Sequence, residues 1–185
     1  MFSKRALPIA ALIPVLVFAT CGRVAAQVSS SQPQQHEHEH SMSGMQDGKH
    51  YEDVNKHGDM AMGFSHMKTT HHFGLTPAGG FIEVQANDPN DAVSRGQIRA
   101  HLQQISKAFK GGDFSAPEMT HSRVPPGVPT MQRLKGEISY KYLETKTGGK
   151  VLISTKNSEA LKAIHEFLRF QIEDHRTGDS GEVRK

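Results

Sequence analysis

The sequence predicts an α+β domain in which two ββα units form a four-stranded, largely antiparallel sheet with two main helices on one face. The first observation is a repeat. Two pairs of strand-like runs share one pattern, in which Gly79-Gly80 aligns with Gly148-Gly149 and Ile82 aligns with Val151. The second is that a capping Asp or Asn and a helical stripe of apolar residues follow each pair. Because one ββα unit alone buries little surface, we expect the two units to share one core.

The first unit begins with strands predicted over residues 72–75 and 81–86, joined by a Thr-Pro-Ala-Gly-Gly turn. A capping residue in the segment 88–91 then starts a helix that runs to Lys110, and Gly111-Gly112 ends it. The helix has one apolar face, because four residues follow one another at spacings of 4, 3 and 4: Ile98, Leu102, Ile105 and Phe109.

A proline-rich segment, 113–129, and a short predicted helix over 130–136 connect the first unit to the second. The strands of the second unit are predicted over 138–144 and 150–155, with a Gly-Gly turn between them. The domain as a whole is predicted over 68–179, and residues 180–185 are expected to be a frayed C-terminus.

The second long helix starts at a cap, Asn157 or Ser158, and runs to His175. Its apolar face comprises Leu161, Ile164, Leu168 and Ile172. The two helices align less clearly than the hairpins do. One alignment pairs His101 with His165, whereas a shift by one position pairs Leu102 with His165 and superimposes the apolar faces better. The equivalence of the two histidines therefore stays open.

Residues 1–26 are predicted to be a secretory signal peptide. Two basic residues precede an uncharged apolar run, 6–19, which is shorter than the about 20 residues that span a bilayer. Small residues at 24–26 favour cleavage after Ala26, which leaves a periplasmic protein. The alternative is a weak lipobox ending at Cys21, and a lipidated Cys21 would anchor the protein to a membrane. No later segment is predicted to be transmembrane.

Composition limits the chemistry. Cys21 is the only cysteine, so the mature chain has no disulfide scaffold and no thiolate metal site. Three of the 22 basic residues lie in the predicted signal, which leaves 19 against 19 acidic residues and gives no case for nucleic-acid binding. All 12 histidines remain, and they are the compositional anomaly.

Residues 27–67 are predicted to be a disordered tail rich in His and Met, because they hold almost no large apolar residues. Thioethers are soft ligands that suit Cu(I), and imidazoles suit Cu(II), zinc and nickel. We therefore expect copper binding, with zinc or nickel, a pH-responsive solubilising tail, or no role as alternatives. The candidate ligands are His36, His38, His40, Met42, Met45, His50, His57, Met60, Met62, His66 and Met67.

A second cluster, His71 and His72, lies where the tail meets the domain. Neighbouring side chains of a strand point to opposite faces, so only one of the two can face a given site unless the strand begins at Phe73. His175, near a helix end, has a structural explanation, because the helix dipole favours an imidazolium there. The secondary candidate ligands are His101, Met119, His121 and His165.

Several stretches between Met62 and Asp179 resemble an uncharacterised family of small exported bacterial proteins: MGFSHMKTTHHF, ANDPNDAVSRGQIRAHL, GDFSAP, PPGVP and HEFLRFQIEDHRTGD. The resemblance covers nearly the whole domain. It implies an envelope location in a Gram-negative bacterium and brings no reaction or site. By composition, the tail resembles the Met/His-rich segments of periplasmic copper-handling proteins.

Three functional hypotheses follow. The first is a periplasmic copper buffer, chaperone or resistance accessory, with metal ions and another periplasmic metal-handling protein as partners. The second is an interaction module for a protein or small ligand, with an incidental tail. The third is a small enzyme that requires at least two of His101, His121 and His165 to converge in a cleft. The sequence contains no GxSxG, HExxH or P-loop motif and so offers no positive case for an enzyme.

Overall fold

The computed structural model describes residues 40–184, with side chains from residue 46 onward. The predicted signal peptide, Cys21, His36 and His38 lie outside the described residues. At three further predicted ligands only the helical backbone is described: His40, Met42 and Met45.

Four strands form one sheet: β1 (Thr69–Thr76), β2 (Gly79–Ala86), β3 (Ile138–Glu144) and β4 (Gly148–Thr155). Their order is β1-β2-β4-β3, and every neighbouring pair is antiparallel. Two long helices, α2 (Ala92–Gly111) and α5 (Ser158–Asp174), pack on one face, where both contribute to a single hydrophobic core. The predicted fold class is therefore confirmed.

The repeat is a local twofold symmetry of the sheet. The offset that aligns the start of β2 with the start of β4 also aligns the start of β1 with the start of β3. It aligns the 3₁₀ turns His66–Lys68 and Lys135–Glu137, which precede the hairpins, as well. In the central strand pair Ile82 lies opposite Val151, and the same offset relates these two residues. The local axis therefore passes between Ile82 and Val151.

The helices repeat with a shorter offset than the strands, and neither of the two expected helix alignments is correct. A Cβ added at Gly149 would lie 3.2 Å from Leu102, and one added at the equivalent Gly80 would overlap Leu168. Leu102 and Leu168 therefore pack over matching glycines and are the equivalent residues. The physical reason is loop length, because the connection before α2 (87–91) is three residues longer than the one before α5.

Each helix also holds the hairpin turn of the other unit. In α2, Arg99 donates hydrogen bonds to the carbonyl oxygens of Thr145 and Gly148, at 2.9 and 3.2 Å. In α5, Nε2 of His165 lies 3.0 Å from the carbonyl oxygens of both Thr76 and Gly79. The alignment that pairs Leu102 with Leu168 also pairs Arg99 with His165. These two residues are therefore equivalent and perform the same structural task.

A helix that the sequence did not predict, α1 (His40–Met62), packs against α3 (Ser115–His121). Over this stretch the structure has a helix where the sequence indicated disorder. Among the described side chains of 46–62, Val54 is the one large apolar residue that is fully buried, so an argument from large apolar residues missed the helix. Polar contacts hold it as well, since Arg176 pairs with Asp47 at 2.7 Å and lies 4.9 Å from the Tyr51 ring centre.

Two smaller expectations also change. The short helix predicted over 130–136 is α4 (Val128–Arg133), which a 3₁₀ turn follows. The C-terminal residues expected to be frayed lie along the edge of the sheet, where Val183 forms a parallel bridge with Leu75. The backbone N–H of Arg184 donates to the Leu75 carbonyl at 3.0 Å.

A candidate metal site in a cavity lined by histidines

The strand alternation separates the two histidines at the start of the sheet. Because β1 begins at Thr69, His71 and His72 lie on opposite faces, as expected for neighbours within a strand. His72 lies on the face away from the long helices, where its Nδ1 is 3.2 Å from Asp179. His71 lies on the core face opposite Val84. Only His71 therefore reaches the interior.

The imidazole of His71 meets a thioether. Its Nε2 lies 3.2 Å from Sδ of Met62, the last residue of α1. The helix ends there because Gly63 adopts φ +75°, and its N–H donates to the Asp59 carbonyl at 2.9 Å. The chain then turns through 66–68 into β1 and places the thioether beside the strand. The turn at Gly63 thus brings a soft thioether ligand and an imidazole ligand together.

Three more histidines surround this pair, each from a different element. The ring of His175, at the end of α5, stacks on His71 with a 5.6 Å centroid distance and a 5° interplanar angle. His121 of α3 meets His175 edge-on at 5.0 Å. His101 of α2 meets Phe64 edge-on at 5.6 Å. Together with Met62, these four histidines line a cavity of about 70 Å³.

Three of the imidazoles around the cavity are neutral at pH 7. Burial lowers the pKa of His71 to about 4, and the neighbouring His101 and His66 act in the same direction. Burial alone lowers the pKa of His101 to about 4. Burial and the neighbouring His71 lower the pKa of His175 to about 3. The expectation that His175 is an imidazolium stabilised by the helix dipole is therefore wrong, because desolvation outweighs the dipole.

His121 acts as an anchor between elements. It is 3% exposed, its Nδ1 donates to Asp174 at 2.6 Å, and its Nε2 lies 3.1 Å from Oε1 of Gln171. Asp174 also accepts hydrogen bonds from His50 of α1 and from Arg123, at 3.0 and 3.1 Å. Burial raises the pKa of Asp174, but the hydrogen bonds and charge interactions from His50 and His121 outweigh it and the net shift is downward. Asp174 thus ties α1, α3 and α5 together as a carboxylate.

The other predicted ligands do not join the cavity. His50 is held by Asp174, His57 lies 3.3 Å from the Ser122 hydroxyl, and His165 holds the hairpin turn. Three methionines are more than half exposed: Met60, Met67 and Met119. In the part of the chain that the structure describes, no three His, Cys, Asp or Glu side chains form a group that could hold a metal ion.

The enzyme hypothesis requires two of three histidines to share a cleft, and this condition is met. His101 and His121 line the same cavity, whereas His165 does not. Both ring nitrogens of His121 are already used in hydrogen bonds. Neither His101 nor His175 finds such a partner for its ring among residues 46–184, so these two have uncommitted nitrogens.

Sequence reasoning missed His175 as a site residue, although a signal was present. In the alignment that pairs Leu102 with Leu168, His175 falls on Phe109, which is 2% exposed and lies in the core. The correct alignment of the two units would therefore have predicted an inward-facing imidazole.

The chain was compared with family models, with characterised proteins and with solved structures, and no match was found. Among the described residues, no helix combines the length and the apolar character that crossing a membrane requires. The assignment of function therefore depends on the site itself.

Proposed function

We propose that this is a periplasmic copper-binding protein, acting as a buffer, chaperone or resistance accessory, whose firmest site is the Met62–His71 pair. The observation that carries the proposal is the 3.2 Å separation between the thioether sulfur and the imidazole nitrogen at the histidine-lined cavity. Export and the periplasmic location are part of the proposal. They rest on the predicted signal peptide.

The donor set fits cuprous ion. Thioether sulfur favours Cu(I), and imidazole suits copper in either oxidation state. Two ligands of one tetrahedral ion, at about 2.0 Å for nitrogen and about 2.3 Å for sulfur, lie roughly 3.5 Å apart. The observed 3.2 Å therefore has to open by only a few tenths of an ångström to admit an ion.

The electrostatics of the cavity favour the same conclusion. A metal ligand must be free of its proton, so metal affinity normally falls as pH falls. Because the pKa of His71 is about 4, no proton has to be displaced from it at neutral pH. The neutral ring of His175, stacked on His71, offers a further nitrogen within the same cavity.

The position of Met62 supports a link between the tail and the site. Met62 is the last residue of α1, and eight of the predicted tail ligands precede it along the chain. We propose that this segment captures ions at weaker sites and passes them to the cavity. A second periplasmic metal-handling protein would be the donor or acceptor of the ion.

The experiment is an anaerobic Cu(I) competition titration against a chromophoric chelator, using the chain from residue 27. We expect Met62→Leu and His71→Phe each to lower Cu(I) affinity by at least the roughly 10- to 100-fold typical of changes around metal ligands. The matched controls are Met67→Leu, an exposed thioether, and His72→Asn, on the opposite face of the same strand. Both controls should bind like the wild type.

Equal affinity in all five proteins would overturn the proposal. Parallel titrations with Cu(II), zinc and nickel address the alternatives. Tighter zinc or nickel binding that survives Met62→Leu would identify a generic histidine site. The absence of binding to any metal would favour an interaction module.

A further inference from the structure

Two more cavities lie beside α1, and they share lining residues with the histidine-lined cavity or with each other. The middle cavity, about 220 Å³, shares Met62, His71 and His175 with the inner one. The outer cavity, about 390 Å³, shares Asn55 and His66 with the middle one. His66 thus lies between the outer and middle cavities, as Met62 and His71 lie between the middle and inner ones.

The imidazole of His66 is held as metal-binding histidines are held. Its Nδ1 donates to Oδ1 of Asp59 at 3.0 Å, and the same oxygen accepts the backbone N–H of His66 at 2.6 Å. A carboxylate on one ring nitrogen fixes the tautomer and leaves Nε2 with a free lone pair. The ring is 30% exposed, so it can be reached from solvent.

The outer cavity also offers a thioether. Met60 lines it together with His66 and Asp59, and Met60 is 71% exposed. An exposed methionine on a helix gains little from packing, whereas it presents a soft ligand to a passing ion. Thioether, imidazole and carboxylate therefore occur together at the surface end of the three cavities.

We propose that His66, with Met60, forms an outer copper site through which Cu(I) reaches the Met62–His71 pair. This inference rests on the proposed function. Transfer is a ligand exchange: bonds from copper to Nε2 of His66 and Sδ of Met60 break as bonds to Nε2 of His71 and Sδ of Met62 form. Copper keeps its oxidation state throughout.

The test separates the rate of loading from affinity. Stopped-flow transfer of Cu(I) from the chelator complex to the chain from residue 27 gives the rate, and the competition titration gives the affinity. We expect His66→Asn to slow loading about tenfold, and Asp59→Asn to slow it by less, because Asp59 only orients the ring. Affinity should change by less than about twofold in either variant, since neither residue belongs to the final site.

The controls keep the outer site distinct from the inner one. Met67→Leu should load at the wild-type rate, whereas Met60→Leu should load more slowly. Methyl resonances of labelled methionine show where the ion arrives, because Met62 must shift at the end point in every variant that retains affinity. Urea unfolding of His66→Asn checks that the fold is intact.

Each outcome decides between two statements. If His66→Asn loads at the wild-type rate, the outer site is wrong and the Met62–His71 site stands. If His66→Asn loses as much affinity as His71→Phe, His66 is a ligand of the final site and the transfer step is wrong. If the wild type takes up no copper, the proposed function fails, and the outer site fails with it.

Discussion

The two ββα units place different chemistry at equivalent positions. His71 of β1 corresponds to Tyr140 of β3 in the strand alignment, and His175 after α5 corresponds to Phe109 of α2 in the helix alignment. Both pairs are in contact. The histidine rings stack at 5.6 Å, and the Tyr140 and Phe109 rings meet at 5.8 Å with a 73° angle between their planes.

This comparison shows what the scaffold requires. At the second unit's end of the sheet the paired positions hold an ordinary aromatic contact, with Tyr140 8% and Phe109 2% exposed. The fold is therefore satisfied by aromatic rings there, although the buried Tyr140 hydroxyl has no hydrogen-bond partner among the described residues. The imidazoles at the other end add nitrogen lone pairs, which packing alone does not call for. The difference supports the proposed metal site.

The surroundings of the two pairs differ accordingly. Phe114 and Phe167 pack around Phe109, with centroid distances of 4.3 and 6.0 Å. The histidine pair instead has Met62 of α1 beside it, and both histidines line the inner and the middle cavity. The same backbone frame thus holds a filled core at one end and a polar cavity at the other.

The largest expected effect of this difference is on stability at acid pH. His71, His101 and His175 have pKa values of about 4, 4 and 3 in the folded protein, well below the ordinary 6.5. The unfolded chain therefore binds more protons once the pH falls below 6.5, and stability falls with pH from there to about 4. Each histidine contributes a slope of about 1.4 kcal/mol per pH unit.

Urea unfolding at pH 7.5, 6.5 and 5.5 measures this slope. His71→Phe should remove about a third of it, because one of three titrating groups is lost. The exposed, non-titrating Val93→Ala should leave it unchanged. Four aspartates have a lowered pKa: Asp91, Asp113, Asp174 and Asp179. The stability they contribute is lost only as the pH falls below about 3.8, so they do not interfere. An unaltered slope in His71→Phe would contradict the assignment of neutral rings.

The next largest effect concerns the two equivalent positions at the helix ends. Phe109→Ala should cost about 3–5 kcal/mol, as expected for truncating a buried phenylalanine. His175→Ala should cost clearly less, because His175 is only half-buried and borders a cavity. Urea midpoints at pH 7.5 measure both, with the exposed Val93→Ala as control. Equal losses would mean that His175 is a core residue like Phe109.

The sequence predicted the fold because its signals are local. The Gly-Gly turns and the spacing from Ile98 to Phe109 depend on near neighbours along the chain. The strand order and the pairing of Ile82 with Val151 were not part of that prediction. The helix offset was not predictable in the same way, because a difference in loop length leaves no periodic signal.

The candidate site was predictable only as a set of residue types. Met62 and His71 were both candidate ligands, but their contact depends on the turn at Gly63, which brings two separate elements together. α1 was missed because polar contacts, such as Asp47 with Arg176, account for much of its attachment. Convergence of histidines from four elements is a tertiary property that composition does not contain.

The smallest expected effect tests the symmetry itself. Arg99 and His165 each hold the turn of the other unit, so Arg99→Ala should increase amide exchange in the turn 145–148 and leave the turn 76–79 unchanged. His165→Ala should do the reverse. Each variant should cost about 1–2 kcal/mol, and Arg99 the more, because its hydrogen bonds are charge-assisted.

Hydrogen exchange followed by mass spectrometry resolves the two turns, and copper affinity provides a second measurement. His165 is a histidine of α5, the helix that ends at His175, but it lies outside the cavity. His165→Ala should therefore bind Cu(I) like the wild type. If Arg99→Ala loosened the turn 76–79, or His165→Ala the turn 145–148, the conclusion that each helix holds the turn of the other unit would be wrong. Loss of copper affinity in His165→Ala would mean that the hairpin at 76–79 positions β1, and with it His71, for the ion.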